Sequence, residues 1–133
     1  LPGVNGARLI DDSYNANPDS VMAALRVLAA APGRRTLVLG DLAELGTDAP
    51  QLHRQLGERA AALGIDRLFT VGELSGHAAQ GFSGESRHFS DREALSEMLL
   101  HDLSAEDSVL VKGSRSARMD EVVNRLHRAE VAC

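Results

Sequence analysis

Residues 36–46 read TLVLGDLAELG. Thr36 and three aliphatic residues run without a charged break, stop at Gly40, and give way to a polar turn carrying Asp41 and Glu44. A strand that faces water on one side alternates apolar and polar residues. An unbroken apolar run suits a strand covered on both faces, as in a parallel sheet with helices above and below. The pattern returns at residues 109–119, VLVKGSRSARM, and in weaker form at residues 8–20, RLIDDSYNANPDS.

Working outward from these runs, strands are expected at residues 8–12, 35–39, 67–71, 87–89 and 108–111. Helical periodicity fills the gaps. After Pro18, Val21, Met22, Leu25, Leu28 and Ala29 fall on one face of a 3.6-residue repeat, with Asn17 as N-cap and Pro32-Gly33 as the stop. Leu52, Leu56, Ala60 and Leu63 mark a second helix ending at Gly64. A short third is expected near residues 74–80. Ser90 and Glu93 form a capping box for a fourth, and Met119, Val122, Val123 and Leu126 lie on a fifth. Alternating strands and helices with short connections define an α/β fold with a mainly parallel sheet covered on both faces. The glycine-rich residues 72–86, GELSGHAAQGFSGES, read as the loosest, surface stretch.

The 133 residues fit one domain, 1–133. The chain opens at Leu1, and only four residues precede the hairpin signal Asn5-Gly6. It is therefore expected to be a piece of a longer protein. A formal charge of −5 argues against a nucleic-acid surface. With Tyr14, Phe69, Phe82 and Phe89 as the aromatics there is no platform for stacking bases. The single cysteine, Cys133, cannot build a disulfide framework. No apolar stretch approaches the roughly 20 residues needed to span a bilayer. These features favour a soluble, reducing compartment. The five histidines show no metal spacing, and neither a phosphate-binding G-x-x-x-x-G-K-[ST] loop nor a G-x-G-x-x-G fingerprint is present.

In open parallel sheets, ligands bind beyond the carboxyl ends of the strands. Three such ends are polar here. At residues 11–18, Asp11 or Asp12 can accept hydrogen bonds from a ribose diol, Asn15 can meet a base edge, and Tyr14 offers a flat wall with a polar rim; equally, Asn17 can simply cap, an aspartate can fix the turn and Tyr14 can pack. Asp41 and Glu44 either touch a ligand or are solvated acids on a tight turn. At residues 111–119, Lys112, Arg115 and Arg118 cluster at a strand end and a helix start, which suits a carboxylate or phosphate. The competing reading pairs these cations with Asp120 and Glu121.

The segments DDSYNANPDSV, LGDLAELG followed by His53, and VLVKGSRSARMDEVV, in this order and spacing, resemble the C-terminal domain of the Mur ligase family of peptidoglycan synthesis. The branch they resemble joins D-alanyl-D-alanine to a UDP-N-acetylmuramoyl tripeptide. The resemblance covers essentially the whole chain. It implies a Rossmann-like three-layer domain of a cytoplasmic, ATP-dependent ligase, preceded by a UDP-binding domain and a central ATPase domain. The phosphate loop and Mg²⁺ ligands belong to that central domain, so no catalytic residue and no metal ligand is expected in this chain. The resemblance further implies that this domain closes over the central one. Asp12, rather than Asp11, then contacts the ATP ribose, with Asn15 and Tyr14 near the adenosine. Lys112, Ser114, Arg115 and Ser116 then present D-alanyl-D-alanine, with Asp41 and Glu44 as further loop contacts. The alternative is a non-catalytic nucleotide-binding or receiver-like interaction module.

Overall fold

The computed structural model describes residues 2–13, 18–43 and 46–132. The elements run β1 (Arg8–Asp12), α1 (Pro18–Ala29), β2 (Arg34–Leu39), α2 (Ala49–Ala62), β3 (Arg67–Val71), α3 (Gly76–Gly81), β4 (Glu85–Phe89), α4 (Arg92–Asp102), β5 (Asp107–Lys112) and α5 (Asp120–Ala132). All five strands form one parallel sheet in the order β1-β5-β2-β3-β4. Among the described residues no helix is long and apolar enough to cross a membrane.

The strand order explains which helix covers which face. From β1 to β4 the chain steps in one direction across the sheet; from β4 it returns to insert β5 between β1 and β2. Right-handed crossovers then place α1, α2 and α3 on one face and the returning α4 on the other. The side chains agree. Leu37, Leu39, Leu68 and Leu110 share a buried cluster with Leu25, Leu28, Leu56 and Ala78 from the first three helices. Val38, Phe69, Val109 and Val111, one residue out of phase on the same strands, join Leu95, Leu99, Val122 and Leu126 from α4 and α5. This two-faced burial is why TLVL and VLV show no alternation, and it makes the domain a Rossmann-like three-layer α/β fold.

Two expectations change. The glycine-rich stretch holds the expected short helix, as α3, but is not loose: Ser75, Ala78 and Phe82 are buried. Glycine serves close packing there. A Cβ on Gly57 of α2 would stand 1.9 Å from the Ala78 carbonyl oxygen, so α2 and α3 meet backbone to backbone. The fourth helix is capped by Asp91, whose Oδ1 accepts from the Ala94 N–H at 2.7 Å, rather than by Ser90. Asn5-Gly6 does make a tight turn, with φ of 56° and 84° and Ala7 N–H donating to Val4 O at 3.1 Å. Its two arms meet only at an isolated Pro2–Arg8 antiparallel bridge.

At the amino end of the sheet lies a charge lock that the sequence did not announce. The Asp107 side chain is fully buried at the start of β5. It accepts from Arg34 Nε at 2.6 Å, from Arg34 Nη2 at 3.1 Å and from the Ser104 N–H at 2.8 Å. Arg67, 4% exposed, lies 3.6 Å from the same carboxylate and hydrogen-bonds Asp102. Burial pushes the Asp107 carboxyl up. The hydrogen bonds from Arg34 and Ser104, with the charges of Arg34 and Arg67, outweigh it and hold the group below the usual aspartate range.

Candidate functional site

Parallel pairing does more for the site than align three polar strand ends on one edge. The insertion of β5 makes β1, β5 and β2 immediate neighbours, with Asp12 in register with Lys112 and Lys112 with Leu39. Residues 100 positions apart thereby meet: Lys112 Nζ donates to Asp12 Oδ2 at 2.8 Å. The Lys112 side chain is fully buried, while that of Asp12 is 25% exposed. Lys112 also reaches Ser20 Oγ at 3.4 Å in the first turn of α1. The lysine is thus not a free surface cation. It is a buried post that holds the Asp12 carboxylate at the mouth of the site.

Asp11 and Asp12 have different jobs. Asp11 Oδ1 accepts from the Ser13 N–H at 3.1 Å and Ser13 Oγ–H at 2.7 Å, closing the turn after β1 on itself. Asp12 keeps solvent-facing capacity. Tyr14, Asn15, Asn17 and Glu44 lie outside the described residues.

Asp41, at the end of β2, ties neighbouring loops together. Its Oδ1 accepts from the N–H groups of Leu74 at 3.0 Å and Ser75 at 2.7 Å, and its carbonyl accepts from Ser114 N–H at 3.0 Å. Ser114 answers through Oγ, which accepts from the Ala43 N–H at 2.6 Å. Asp41 and Ser114 are therefore braces between strand ends. His53 is a brace from below: fully buried on α2, it accepts from the Leu42 N–H through Nε2 at 3.0 Å, and its Nδ1 lies 2.7 Å from the Ala49 carbonyl. That pair of contacts requires the neutral tautomer with the proton on Nδ1.

The segment after β5 departs from a direct strand-to-helix passage. Arg115–Ala117 form a 3-10 turn, and Arg118 follows in the left-handed region at φ 54°. Met119 then drops, fully buried, against the backbone of two strand ends: a Cβ on Gly40 would lie 2.6 Å and one on Gly113 2.8 Å from its Cγ. Two of the three expected cations are engaged. Lys112 holds Asp12. Arg118 pairs with Asp120 at 3.2 Å and Glu121 at 3.5 Å, and the Asp120 hydrogen bond with both negative charges raises its pKa. The start of α5 is thus supplied with its own acids. Arg115 is exposed and makes no side-chain hydrogen bond or ion pair among the described residues. Ser116 is exposed beside it.

A cleft of about 290 Å³ opens here, lined by Asp41, Gly72, Glu73, Arg92 and Ser116. Glu73 and Arg92 were not foreseen. Glu73 follows the end of β3, a strand end whose polar content is low. Arg92 was legible only as part of a helix cap, yet it grips the 3-10 turn by donating to the Ala117 carbonyl at 3.2 Å and to Glu121 at 3.0 Å. Among the described residues no group of three or more His, Cys, Asp or Glu side chains could hold a metal ion.

Comparison with known proteins agrees with this geometry. The profile of the family described as "Mur ligase, glutamate ligase domain" matches residues 1–115. The UDP-N-acetylmuramoyl-tripeptide–D-alanyl-D-alanine ligase of Escherichia coli K12 is 51% identical over 120 residues, which are 89% of this chain and 26% of that protein. The crystal structure of MurF from Acinetobacter baumannii superposes with a TM-score of 0.76 at 35% identity, covering 86% of this chain and 26% of that one. The MurF ligase of Thermotoga maritima in complex with ADP gives a TM-score of 0.81 at 27% identity, over 99% and 32%. The chain thus spans about a quarter of the length of the curated relatives it matches. On the match across most of its length, the chain belongs to the Mur ligase family, in its glutamate ligase domain.

Proposed function

We propose that this chain is the C-terminal domain of a longer, ATP-dependent peptidoglycan-precursor ligase with separate UDP-binding and central ATPase domains. The reaction we assign to the whole enzyme phosphorylates the carboxylate of UDP-N-acetylmuramoyl-tripeptide with ATP. The amine of D-alanyl-D-alanine then attacks the acyl phosphate, giving the extended peptide, ADP and phosphate. The observation that carries the reading is the match to the Mur ligase family together with a strand end at which buried Lys112 presents the partly open carboxylate of Asp12.

On this reading Asp12 accepts from the ATP ribose. Lys112 holds that carboxylate in place, and Tyr14 and Asn15 come next along the chain to meet the adenosine. A partly exposed carboxylate with one oxygen on a buried ammonium fits a diol, which needs an acceptor and no counter-charge. Arg115 and Ser116 receive the carboxylate of D-alanyl-D-alanine. Ser114, Asp41 and Arg92 position the loop, and Glu44 is taken as a further loop contact on the resemblance alone. Mg²⁺ and the ATP phosphates are left to the central domain. The domain closes over that domain and supplies contacts, so no turnover is expected from this chain alone. A receiver-like module is disfavoured by topology: receivers order their strands 2-1-3-4-5, with the first strand inside the sheet, whereas here β1 is at the edge and β5 is inserted.

The test is phosphate release by the full-length enzyme with ATP, UDP-N-acetylmuramoyl-tripeptide and D-alanyl-D-alanine. Arg115→Lys is expected to raise the KM for D-alanyl-D-alanine about tenfold and leave that for ATP unchanged, since an ammonium cannot reproduce a bidentate grip. Parallel rises for both substrates would overturn the acceptor assignment and make Arg115 a domain-closure contact.

A further inference from the structure

The close approach of α2 to α3 has a counterpart on the other side of α2. Between α1 and α2 lies a groove of about 290 Å³ with Met22, Leu42, Leu52 and Leu56 as its apolar wall and floor, and Arg26 and Arg59 as its polar border. The floor is preformed: Leu42 is 1% exposed and its N–H is held by buried His53. Met22 and Leu52 remain partly open to solvent.

The two arginines give the groove its chemistry. Arg34, Arg67, Arg92, Arg118 and Arg125 are each paired with a carboxylate. Arg26 and Arg59 have no such partner and no side-chain hydrogen bond among the described residues, in a chain whose formal charge is −5. Each lies in the last turn of its helix, where the helix dipole favours a cation. The dipole does not explain why both border the same apolar trough. A trough with an apolar floor and two uncompensated guanidiniums is complementary to a molecule with an apolar body and an acidic head.

We propose that this groove, separate from the strand-end site, binds a small anion with a compact apolar body, such as an aryl or branched-alkyl carboxylate, sulfonate or phosphate. The experiment uses 8-anilinonaphthalene-1-sulfonate, which has this chemistry, and N-phenyl-1-naphthylamine, which shares its ring system but lacks the sulfonate. The sulfonate dye is expected to bind the folded chain saturably, one per chain. Arg26→Gln and Arg59→Gln should each weaken it about fivefold, the scale of one exposed charge pair, with no change in melting temperature. Leu52→Glu should abolish binding. The neutral dye should bind more weakly and ignore the arginine variants. Equal affinity for both dyes, indifference to Arg26→Gln and Arg59→Gln, or loss of the site in the full-length enzyme would each overturn the proposal. None of these outcomes depends on ligase activity, so failure here is distinct from failure of the ligase reading.

Discussion

The two ends of the sheet use the same chemistry for opposite purposes. At the amino end, Asp107 is fully buried and saturated by Arg34 and Ser104, with Arg67 sealed beside it. At the carboxyl end the burial is reversed: the cation, Lys112, is sealed, and its acid, Asp12, is a quarter exposed. A buried, fully partnered carboxylate has nothing left to offer a ligand. A partly open carboxylate held from below by a buried ammonium does. On the proposed reading, what separates the two ion pairs is which partner faces the solvent, more than how short the contact is.

The comparison can be broken most forcefully through packing. Met119 seats the carboxyl-end loop on Gly40 and Gly113. Met119→Ala is expected to cost about 3 kcal/mol, in the range for large-to-small core changes. The loss should be the same at low and high salt in urea unfolding. A strongly salt-dependent loss would mean that charge, rather than this plug, holds the loop.

Next in size is the amino-end lock. Asp107→Asn leaves Arg67 buried without its neighbouring charge, although Asp102 still supports it, and is expected to cost about 2–3 kcal/mol, discounted because Arg34 is 41% exposed. The pH dependence follows from the sign of the shift. The folded value for Asp107 lies below the unfolded one, so its stabilisation is complete above an unfolded value of about 3.9. It is lost as pH falls through the lower folded value. The gap in unfolding free energy between wild type and Asp107→Asn should therefore be constant near neutrality and narrow in acid. A gap that widens in acid would reverse the assignment.

The carboxyl-end pair should respond asymmetrically. Asp12→Asn removes the counter-charge of a fully buried ammonium and is expected to cost about 2 kcal/mol. Lys112→Met leaves a carboxylate that water can reach and should cost about 1 kcal/mol. The double variant should lie closer to wild type than Asp12→Asn does. Equal losses for both single variants would show that Asp12 is as enclosed as Asp107. The smallest effect belongs to Arg115→Gln, which removes no contact among the described residues and is expected to shift stability by less than about 0.5 kcal/mol. A larger thermal shift would reveal a structural role for Arg115.

Local pattern was legible in the chain itself. Strand positions, their burial on both faces and most helix starts follow from apolar runs and 3.6-residue periodicity, because both are set by near neighbours. The ends of elements were less so. Ser90 and Asp91 are both good caps, and only the position of the first turn selects Asp91. The short helix near residues 74–80 was legible, but the tightness of the surrounding residues 72–86 was not, because glycine signals loop when judged alone and close helix packing when a partner helix is present. Within the site, the three polar strand ends and Asp12, Lys112, Asp41, Ser114, Arg115 and Ser116 could be singled out from sequence. Their division into braces, buried posts and open groups could not.

The amino-acid sequence alone determined an α/β domain with a doubly covered parallel sheet, three polar strand ends and a likeness to the Mur ligases. Only the tertiary structure decided that β5 lies between β1 and β2. That insertion brings Lys112 to Asp12 across 100 positions, joins Asp107 to Arg34, and sets Met119 on Gly40 and Gly113. The reason is physical. Periodicity records what each residue buries against its own strand or helix, whereas strand order is chosen by the packing of all the helices at once. A charge that is harmless in sequence becomes a lock or a ligand contact only when that order fixes its neighbour and its exposure.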